Sequence, residues 1–191
     1  MHRHMLVLAL TSILVVGAVG CSSNIHQMET DLALASINTI GASGQLSTFS
    51  TKFDPASDEG RAVNIKLASN AIDRVLVKPG EEFSFNRAVG PTTAKNGYKE
   101  SVIYVSGKKD KGFGGGVCQV SSTLYNAANS AGMTIVERHD HSLPVGYVEA
   151  GKDAATSYGV KDFRFVNELT YPVVIVSQVL DGKITVSVNA A

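Results

Sequence analysis

Apolar residues recur along the chain with two different periods, and each change of period marks a predicted element. The spacing of three to four residues between Val63, Leu67 and Ala71 predicts an amphipathic helix. The same spacing over residues 117–131, followed by Gly132, predicts a second helix that ends at a glycine. Because this second helix directly follows a glycine-rich loop, we expect it to be the central helix of the fold.

Most other segments show the period of two that is typical of β-strands. Phe163 and Phe165 alternate with polar residues, and Asp181-Gly182 between two valine-rich runs predicts a hairpin with a type I′ turn. Further strands are predicted at 45–51, 74–77, 82–85, 101–105, 134–137 and 143–148, with 74–77 and 82–85 forming a hairpin. This order of elements indicates an α+β domain in which an antiparallel sheet packs against the central helix.

The first 20 residues differ from the rest of the chain. They open with His-Arg-His at positions 2–4, run apolar from 5 to 16, and end in small residues before Cys21, which is the layout of a secretory signal. The apolar run is too short to be a convincing membrane span. The segment Ala18-Val19-Gly20-Cys21 resembles a bacterial lipobox, which implies lipidation of Cys21. The alternative is an ordinary secretory signal.

These features predict three regions and a location. We expect a signal peptide at 1–20, a lipidated N-terminus and tether at 21–44, and a folded domain at 45–191. The domain would lie outside the cytoplasm, anchored by lipid to the cell membrane or an outer membrane. The 17 basic and 17 acidic residues give a net charge of zero, which argues against nucleic acid as a partner.

Cys118 is the candidate nucleophile. It follows Gly114, Gly115 and Gly116 at a predicted helix start, where unpaired amides and the helix dipole favour a thiolate. The chain has two cysteines, so lipidation of Cys21 would leave Cys118 without a disulfide partner. Cys118 is therefore either a packed, inert thiol or a reactive one.

A cysteine nucleophile needs a base and a group that orients the base. His141 is the candidate base and Asp162 the candidate orienting residue, with Asp153 as the rival for that third role. Gln119 and the backbone amides of residues 116–118 are candidate donors to an oxyanion. Together with these, Arg138, Asp153 and the three glycines are candidate binding residues.

Other interpretations of the same residues stay open. The glycines at 114–116 would equally allow a loop to pack closely against a sheet. His139 and His141 would share one face of a strand and, with Asp153, offer a metal site, but no recognised metal-ligand spacing is present and we predict neither a metal nor a cofactor. The glycine spacing also does not match a nucleotide-binding loop.

Several motifs occur in a fixed order and resemble the VanW family. They are Pro79-Gly80-Glu81-Glu82-Phe83-Ser84-Phe85-Asn86, Gly97-Tyr98, the run from Gly114 to Ala127, Glu137-Arg138, His141-Ser142, Asp153-Ala154 and Asp162-Phe163-Arg164-Phe165-Val166-Asn167. The resemblance implies a role in the bacterial cell envelope connected with vancomycin resistance, without implying a reaction. Two functions follow as expectations: a cysteine-dependent hydrolase or acyltransferase acting on peptidoglycan peptides, or a non-catalytic accessory module that binds peptidoglycan or its precursors.

Overall fold

The computed structural model of the protein describes residues 44–105 and 107–191. The predicted signal peptide, Cys21 and the tether up to residue 43 lie outside these ranges. Within them, none of the helices combines the length and the apolar composition needed to cross a membrane.

Three helices and nine strands make up the described part of the chain, together with one short 3₁₀ turn. In chain order they are β1 (Gln45–Lys52), α1 (Glu59–Ile72), β2 (Leu76–Val77), β3 (Glu82–Ser84), α2 (Phe85–Val89), the 3₁₀ turn (Ala94–Asn96), β4 (Glu100–Val105), β5 (Lys108–Phe113), α3 (Val117–Ser130), β6 (Thr134–Glu137), β7 (Arg164–Val166), β8 (Val173–Leu180) and β9 (Lys183–Ala190). This confirms the predicted α+β class and both predicted long helices.

The largest sheet is antiparallel and has the strand order β1-β9-β8-β2. Its β8–β9 hairpin turns at Asp181 and Gly182, whose φ values of 48° and 71° are both positive, as a type I′ turn requires. On β8 and β9 every second side chain is buried, because one face of the sheet packs against the helices. The alternation of apolar and polar residues in β9 therefore corresponds to one buried and one more exposed face of the sheet.

Helices α1 and α3 cover that face and form the core with it. The fully buried apolar side chains include Ile65, Ala68 and Ile72 of α1, Val120, Leu124 and Ala127 of α3, and Ile175, Ile184, Val186 and Val188 of the sheet. Hydroxyl pairs also cross this interface, with 2.8 Å between the oxygens of Thr51 and Thr123 and 2.7 Å between those of Ser69 and Ser177. Each of these buried hydroxyls has a hydrogen-bond partner, so none of them is left unsatisfied in the apolar core.

A second sheet has the order β3-β7-β6, and a two-stranded ribbon is formed by β4 and β5. Phe83 and Phe165 stack in the second sheet with ring centroids 5.0 Å apart. Between β6 and β7, residues 138–163 run with almost no regular structure. This segment, called here the β6–β7 loop, carries His141 and Asp153 back over the start of α3.

Five details of the predicted topology are wrong. β2 pairs with β8 and β3 with β7, so 74–77 and 82–85 do not form a hairpin. Phe85 begins α2 instead of extending β3, and the predicted strand 143–148 is part of the β6–β7 loop. Strand β5 was not predicted, because its Lys-Lys-Asp-Lys start has no apolar alternation and it is held only by pairing with β4. The single predicted sheet is three separate sheets in the structure.

Candidate functional site

The three glycines before α3 are required by packing. Gly114 and Gly116 have φ values of 86° and 104°, in the left-handed region. A Cβ on Gly115 would lie 2.5 Å from the carbonyl oxygen of Val102, and one on Gly116 would lie 2.9 Å from Cγ of Arg61. The close-packing interpretation of Gly114, Gly115 and Gly116 therefore holds. This closely packed loop leads directly into the first turn of α3, where Cys118 lies.

Serine hydroxyls tie the start of α3 to the β6–β7 loop. Ser122 Oγ donates to the carbonyl oxygen of Cys118 at 2.7 Å and accepts from the amide of Ala154 at 2.9 Å, while Ser121 Oγ donates to the Ala154 carbonyl at 2.6 Å. This attachment places Thr156 beside the sulfur, and the Thr156 amide donates to Cys118 Sγ at 3.4 Å. The loop thus supplies the surroundings of the thiol although it lacks regular structure.

His141 is held by Asp153. One carboxylate oxygen of Asp153, Oδ2, accepts from the His141 amide at 2.7 Å and lies 2.5 Å from the ring Nδ1. Arg138 holds the same aspartate from the other side, since its Nε donates to the Asp153 carbonyl at 2.6 Å and its Nη2 lies 3.3 Å from Oδ1. With Nδ1 engaged by Asp153, the ring nitrogen available to Cys118 is Nε2.

The protonation states of these groups depend on one another. Burial acts to raise the pKa of the Cys118 thiol, but hydrogen bonding with His141 and the Thr156 amide, and the charge of His141, bring the pKa below its usual range. Burial acts to lower the pKa of His141, but its interactions with Cys118 and then with Asp153 raise that pKa overall. Both directions favour a thiolate beside an imidazolium.

The pKa of Asp153 changes in the direction that keeps it ionised. Burial acts to raise this pKa, but the hydrogen bonds from the His141 amide and ring, and the charge of His141, hold it below its usual range. Asp153 is 6% exposed, so its charge is screened less by water than that of a surface carboxylate. An ionised Asp153 therefore faces the imidazole that it orients.

Cys118 and His141 open onto a cleft with a cavity volume of about 250 Å³. Helix α3 forms the floor, and the β4–β5 ribbon, α2 and the β6–β7 loop form the walls. The apolar part of the lining includes Phe85, Val102, Phe113, Val145, Tyr147 and Tyr158. Cys118 is partly exposed as a residue and belongs to the lining of this cleft.

Asp162 does not take the orienting position predicted for it. Its carboxylate accepts from Ser84 Oγ at 2.6 Å, from the Asn86 amide at 2.8 Å and from the Phe163 amide at 2.8 Å, so it joins the start of α2 to the strand that begins after it. The carboxylate that contacts His141 is that of Asp153, the rival candidate. Sequence alone did not separate the two aspartates, since both follow His141 in the same irregular loop.

Gln119 and Arg138 also do not take the roles predicted for them. The Gln119 side chain is 1% exposed, with Nε2 donating to Thr51 Oγ1 at 3.1 Å and to the Lys52 carbonyl at 2.9 Å, so it is not available as an oxyanion donor. Arg138 holds Asp153, as described above, and its guanidinium lies 5.0 Å from the ring centroid of Tyr125. Both are positioning residues in this structure.

The metal alternative gains no support from the geometry. His139 Nε2 lies 2.8 Å from Glu137 Oε1, whereas His141 contacts Asp153, so the two imidazoles have separate partners. Across residues 44–105 and 107–191, no three His, Cys, Asp or Glu side chains converge as metal ligands. The expected shared strand face is absent because 138–141 is loop.

Thr156, Tyr147 and Arg61 complete the cleft, and sequence reasoning missed Thr156 and Arg61. Thr156 donates its backbone amide to the sulfur, and a backbone donor leaves no mark in the sequence. Tyr147 lies against His141 with ring centroids 6.4 Å apart. Arg61 was part of a predicted amphipathic helix, and nothing in that pattern distinguished it from a solvated surface arginine.

Comparison with known proteins gives consistent relatives. A family model described as "VanW like protein" matches residues 60–189, which include Cys118, His141 and Asp153. The chain is 42% identical over 168 residues to "Uncharacterized protein YoaR" of Bacillus subtilis (strain 168), covering 88% of this chain and 54% of that protein. It is 32% identical over 145 residues to "Vancomycin B-type resistance protein VanW" of Enterococcus faecalis (strain ATCC 700802 / V583), covering 73% of this chain and 48% of that protein.

The extent of these matches defines what they show. The chain spans about half the length of the curated relatives it matches. No solved structure matches the chain significantly. The family model covers more than half of the chain, with the cleft residues inside the matched range, and the chain therefore belongs to the VanW family.

Proposed function

We propose that this VanW-family chain is a cysteine-dependent hydrolase or acyltransferase that cleaves or transfers an amide. Cys118 is the nucleophile, His141 the general base and acid, and Asp153 the residue that orients His141. The observation that carries the proposal is that Asp153 holds His141 while His141 and Cys118 line the same open cleft, with the pKa of the thiol lowered and that of the imidazole raised.

The reaction follows the usual course for a thiolate–imidazolium pair. Cys118 Sγ attacks the amide carbonyl carbon, a C–S bond forms and the carbonyl electron pair moves to oxygen. When this pair returns, the C–N bond breaks and the amine leaves with the proton of His141 Nε2. Water or an acceptor amine then attacks the thioester and gives a proton to His141, and the C–S bond breaks to restore the thiolate.

Charge on the carbonyl oxygen needs a donor in the transition state. Of the predicted donors, the Gln119 side chain is occupied and the Val117 amide donates to the Gly114 carbonyl at 3.1 Å. The amide of Cys118 itself, at the positive end of α3, is the donor assigned here. An amide on the nucleophile's own residue keeps a constant relation to the attacking sulfur.

The biological setting is also part of the proposal. The N-terminal pattern supports an exported protein anchored through lipidated Cys21, and one relative is named for vancomycin resistance. We therefore propose the cell envelope as the location and peptidoglycan peptides as the substrate class. A non-catalytic accessory module is the second candidate, favoured by the Thr156 backbone, whose carbonyl lies 3.4 Å from the sulfur and could satisfy a packed thiol.

Alkylation of Cys118 separates the two candidates. In the full chain carrying Cys21→Ser, Cys118 is the only cysteine, so the rate of iodoacetamide labelling against pH reports its ionisation. We expect the midpoint to lie below that of an ordinary thiol, and to rise in His141→Ala. A thiol that labels only after denaturation, or with the midpoint of free cysteine, contradicts the enzymatic proposal.

Activity and anchoring need their own tests. Cys118→Ser should fold with an unchanged circular dichroism spectrum and lose amide cleavage or transfer on peptidoglycan fragments, whereas Ser142→Ala, outside the cleft lining, should retain it. Retention of activity in Cys118→Ser would contradict the assigned nucleophile. Separately, Cys21→Ala should release the chain from membranes, and continued membrane association would contradict lipidation.

A further inference from the structure

Arg61 is the permanently charged residue of the cleft. It lies in the first turn of α1, and its Cγ packs where a side chain on Gly116 would otherwise sit. Among the residues that line the cleft, the other ionisable side chains are Cys118, His141 and two tyrosines, and no aspartate or glutamate is present. A thiolate beside an imidazolium is neutral as a pair, and the Asp153 carboxylate behind His141 is itself paired with Arg138. Arg61 therefore gives the side chains that line the cleft a net positive charge.

The guanidinium is held in place by a buried amide. Arg61 Nη2 donates to Gln119 Oε1 at 2.6 Å, and Gln119 can present only this oxygen, because its Nε2 is committed to Thr51 and Lys52. The arrangement uses one of the five guanidinium N–H donors. A fixed guanidinium loses less conformational entropy on binding than a solvated arginine does.

No ion pair links this guanidinium to a protein carboxylate in the part of the chain that the structure describes, although, after the hydrogen bond from Ser101, the charge of Arg61 helps to lower the pKa of Asp58. Both carboxylate oxygens of Asp58 have other partners, since Oδ1 accepts from the Arg61 backbone amide at 2.9 Å and Oδ2 accepts from Ser101 Oγ at 2.6 Å. Asp58 caps α1 and is not part of the cleft lining. The charge of Arg61 also acts inside the cleft, where it opposes the rise that burial and Cys118 cause in the pKa of Tyr147.

From this geometry we propose that Arg61 binds a carboxylate of the substrate, close to the amide that Cys118 attacks. The ligand class is a peptide or acyl compound with a free carboxylate near the scissile bond, and Arg61 is the residue that selects it. The planar guanidinium can donate two parallel N–H···O hydrogen bonds to the two oxygens of a carboxylate. A neutral amide has only one oxygen and cannot accept in this way. The substrate assignment rests on the proposed function, whereas carboxylate binding at the cleft does not.

Paired alkylating reagents test this inference directly. Iodoacetate and iodoacetamide differ only in charge, and iodoacetylglycine and iodoacetylglycinamide place the same difference one residue farther from the reacting carbon. Rates are measured on the full chain with Cys21→Ser, at a pH about one unit above the ordinary thiol pKa, so that Cys118 is ionised in every variant. We expect Arg61→Gln to lower the anionic-to-neutral rate ratio about tenfold in at least one pair.

Matched variants distinguish a site from a general charge effect. Arg74→Gln removes an exposed arginine outside the cleft and should leave both ratios unchanged, while Arg61→Lys keeps the charge without the fork and should give intermediate ratios. If Arg61→Gln does not fold, the wild-type ratio should fall with added salt and Arg61→Lys remains informative. Ratios that are the same in Arg61 variants and Arg74→Gln, or independent of salt, overturn the inference.

The outcomes separate this inference from the proposed function. A rate ratio that depends on Arg61, together with an ordinary iodoacetamide pH profile, would keep the carboxylate site and refute the activated thiol. An iodoacetamide pH profile with a lowered midpoint, together with anionic-to-neutral rate ratios that do not change in the Arg61 variants, would support the activated thiol and refute the carboxylate site.

Discussion

Asp153 contacts His141 at two points, accepting from its backbone amide at 2.7 Å and lying 2.5 Å from its ring Nδ1. The two residues are 12 positions apart in a loop with almost no regular structure. One carboxylate oxygen therefore sets both the path of the loop at His141 and the orientation of the ring. The imidazole of His141 is therefore positioned by a side chain and not by a strand.

Asp153→Asn should weaken Cys118 as a nucleophile. The amide is neutral, so it removes the charge that contributes to the raised pKa of His141. We expect a lower His141 pKa by NMR titration and a Cys118 alkylation rate reduced about tenfold at neutral pH. Asp162→Asn is the matched control, because its contacts are with Ser84, Asn86 and Phe163. Equal effects of the two substitutions on Cys118 would contradict the assignment of Asp153.

Stability at acid pH should depend on Asp153. Its pKa is lowered in the folded protein, so its contribution to stability is complete above the unfolded-state pKa of about 3.9 and is lost as pH falls through the folded value. Asp153→Asn should be less stable by about 1–3 kcal/mol at neutral pH and should show a smaller loss on acidification. Urea denaturation at a series of pH values measures both. An acid dependence identical to that of the wild type would show that Asp153 is not linked to folding.

Activity on peptide amides should have a bell-shaped pH dependence. The acid limb reports protonation of Cys118, whose pKa is lowered, and the alkaline limb reports loss of the proton from His141, whose pKa is raised. The active form lies between these two values, which belong to the pair because the groups interact. Release of amine from peptidoglycan fragments against pH measures the profile. His141→Gln should remove the alkaline limb along with most of the activity, and an unchanged alkaline limb would assign it to another group.

Substitution of Gly115 should be far more costly than substitution of Gly146. In Gly115→Ala the new Cβ would meet the Val102 carbonyl at 2.5 Å and Ser101 side-chain atoms at 2.8 Å, whereas at Gly146 no atom lies within 4 Å. We expect a loss of about 3 kcal/mol for Gly115→Ala and a change within about 0.5 kcal/mol for Gly146→Ala. Thermal denaturation of both variants measures the difference. Similar stabilities would mean that the loop before α3 can move away from β4.

Local patterns predicted the elements that local physics controls. The helical spacing of α1 and α3 and the Asp181-Gly182 turn were recoverable because their signals lie within a few residues of each other. Local patterns do not predict strand β5 and predict a strand at 143–148 where the structure has loop, because strand pairing outweighs local propensity in sheets.

The sequence by itself determined the family, the α+β class and the position of Cys118 at a helix start, since these follow from motif order, periodicity and a glycine run. Only the tertiary structure decided that Asp153, and not Asp162, contacts His141, that Gln119 is committed to Thr51 and Lys52, and that Arg61 faces the cleft. The reason is physical: the β6–β7 loop has no repeating backbone geometry, so the direction of its side chains is set by contacts with residues far away in the chain.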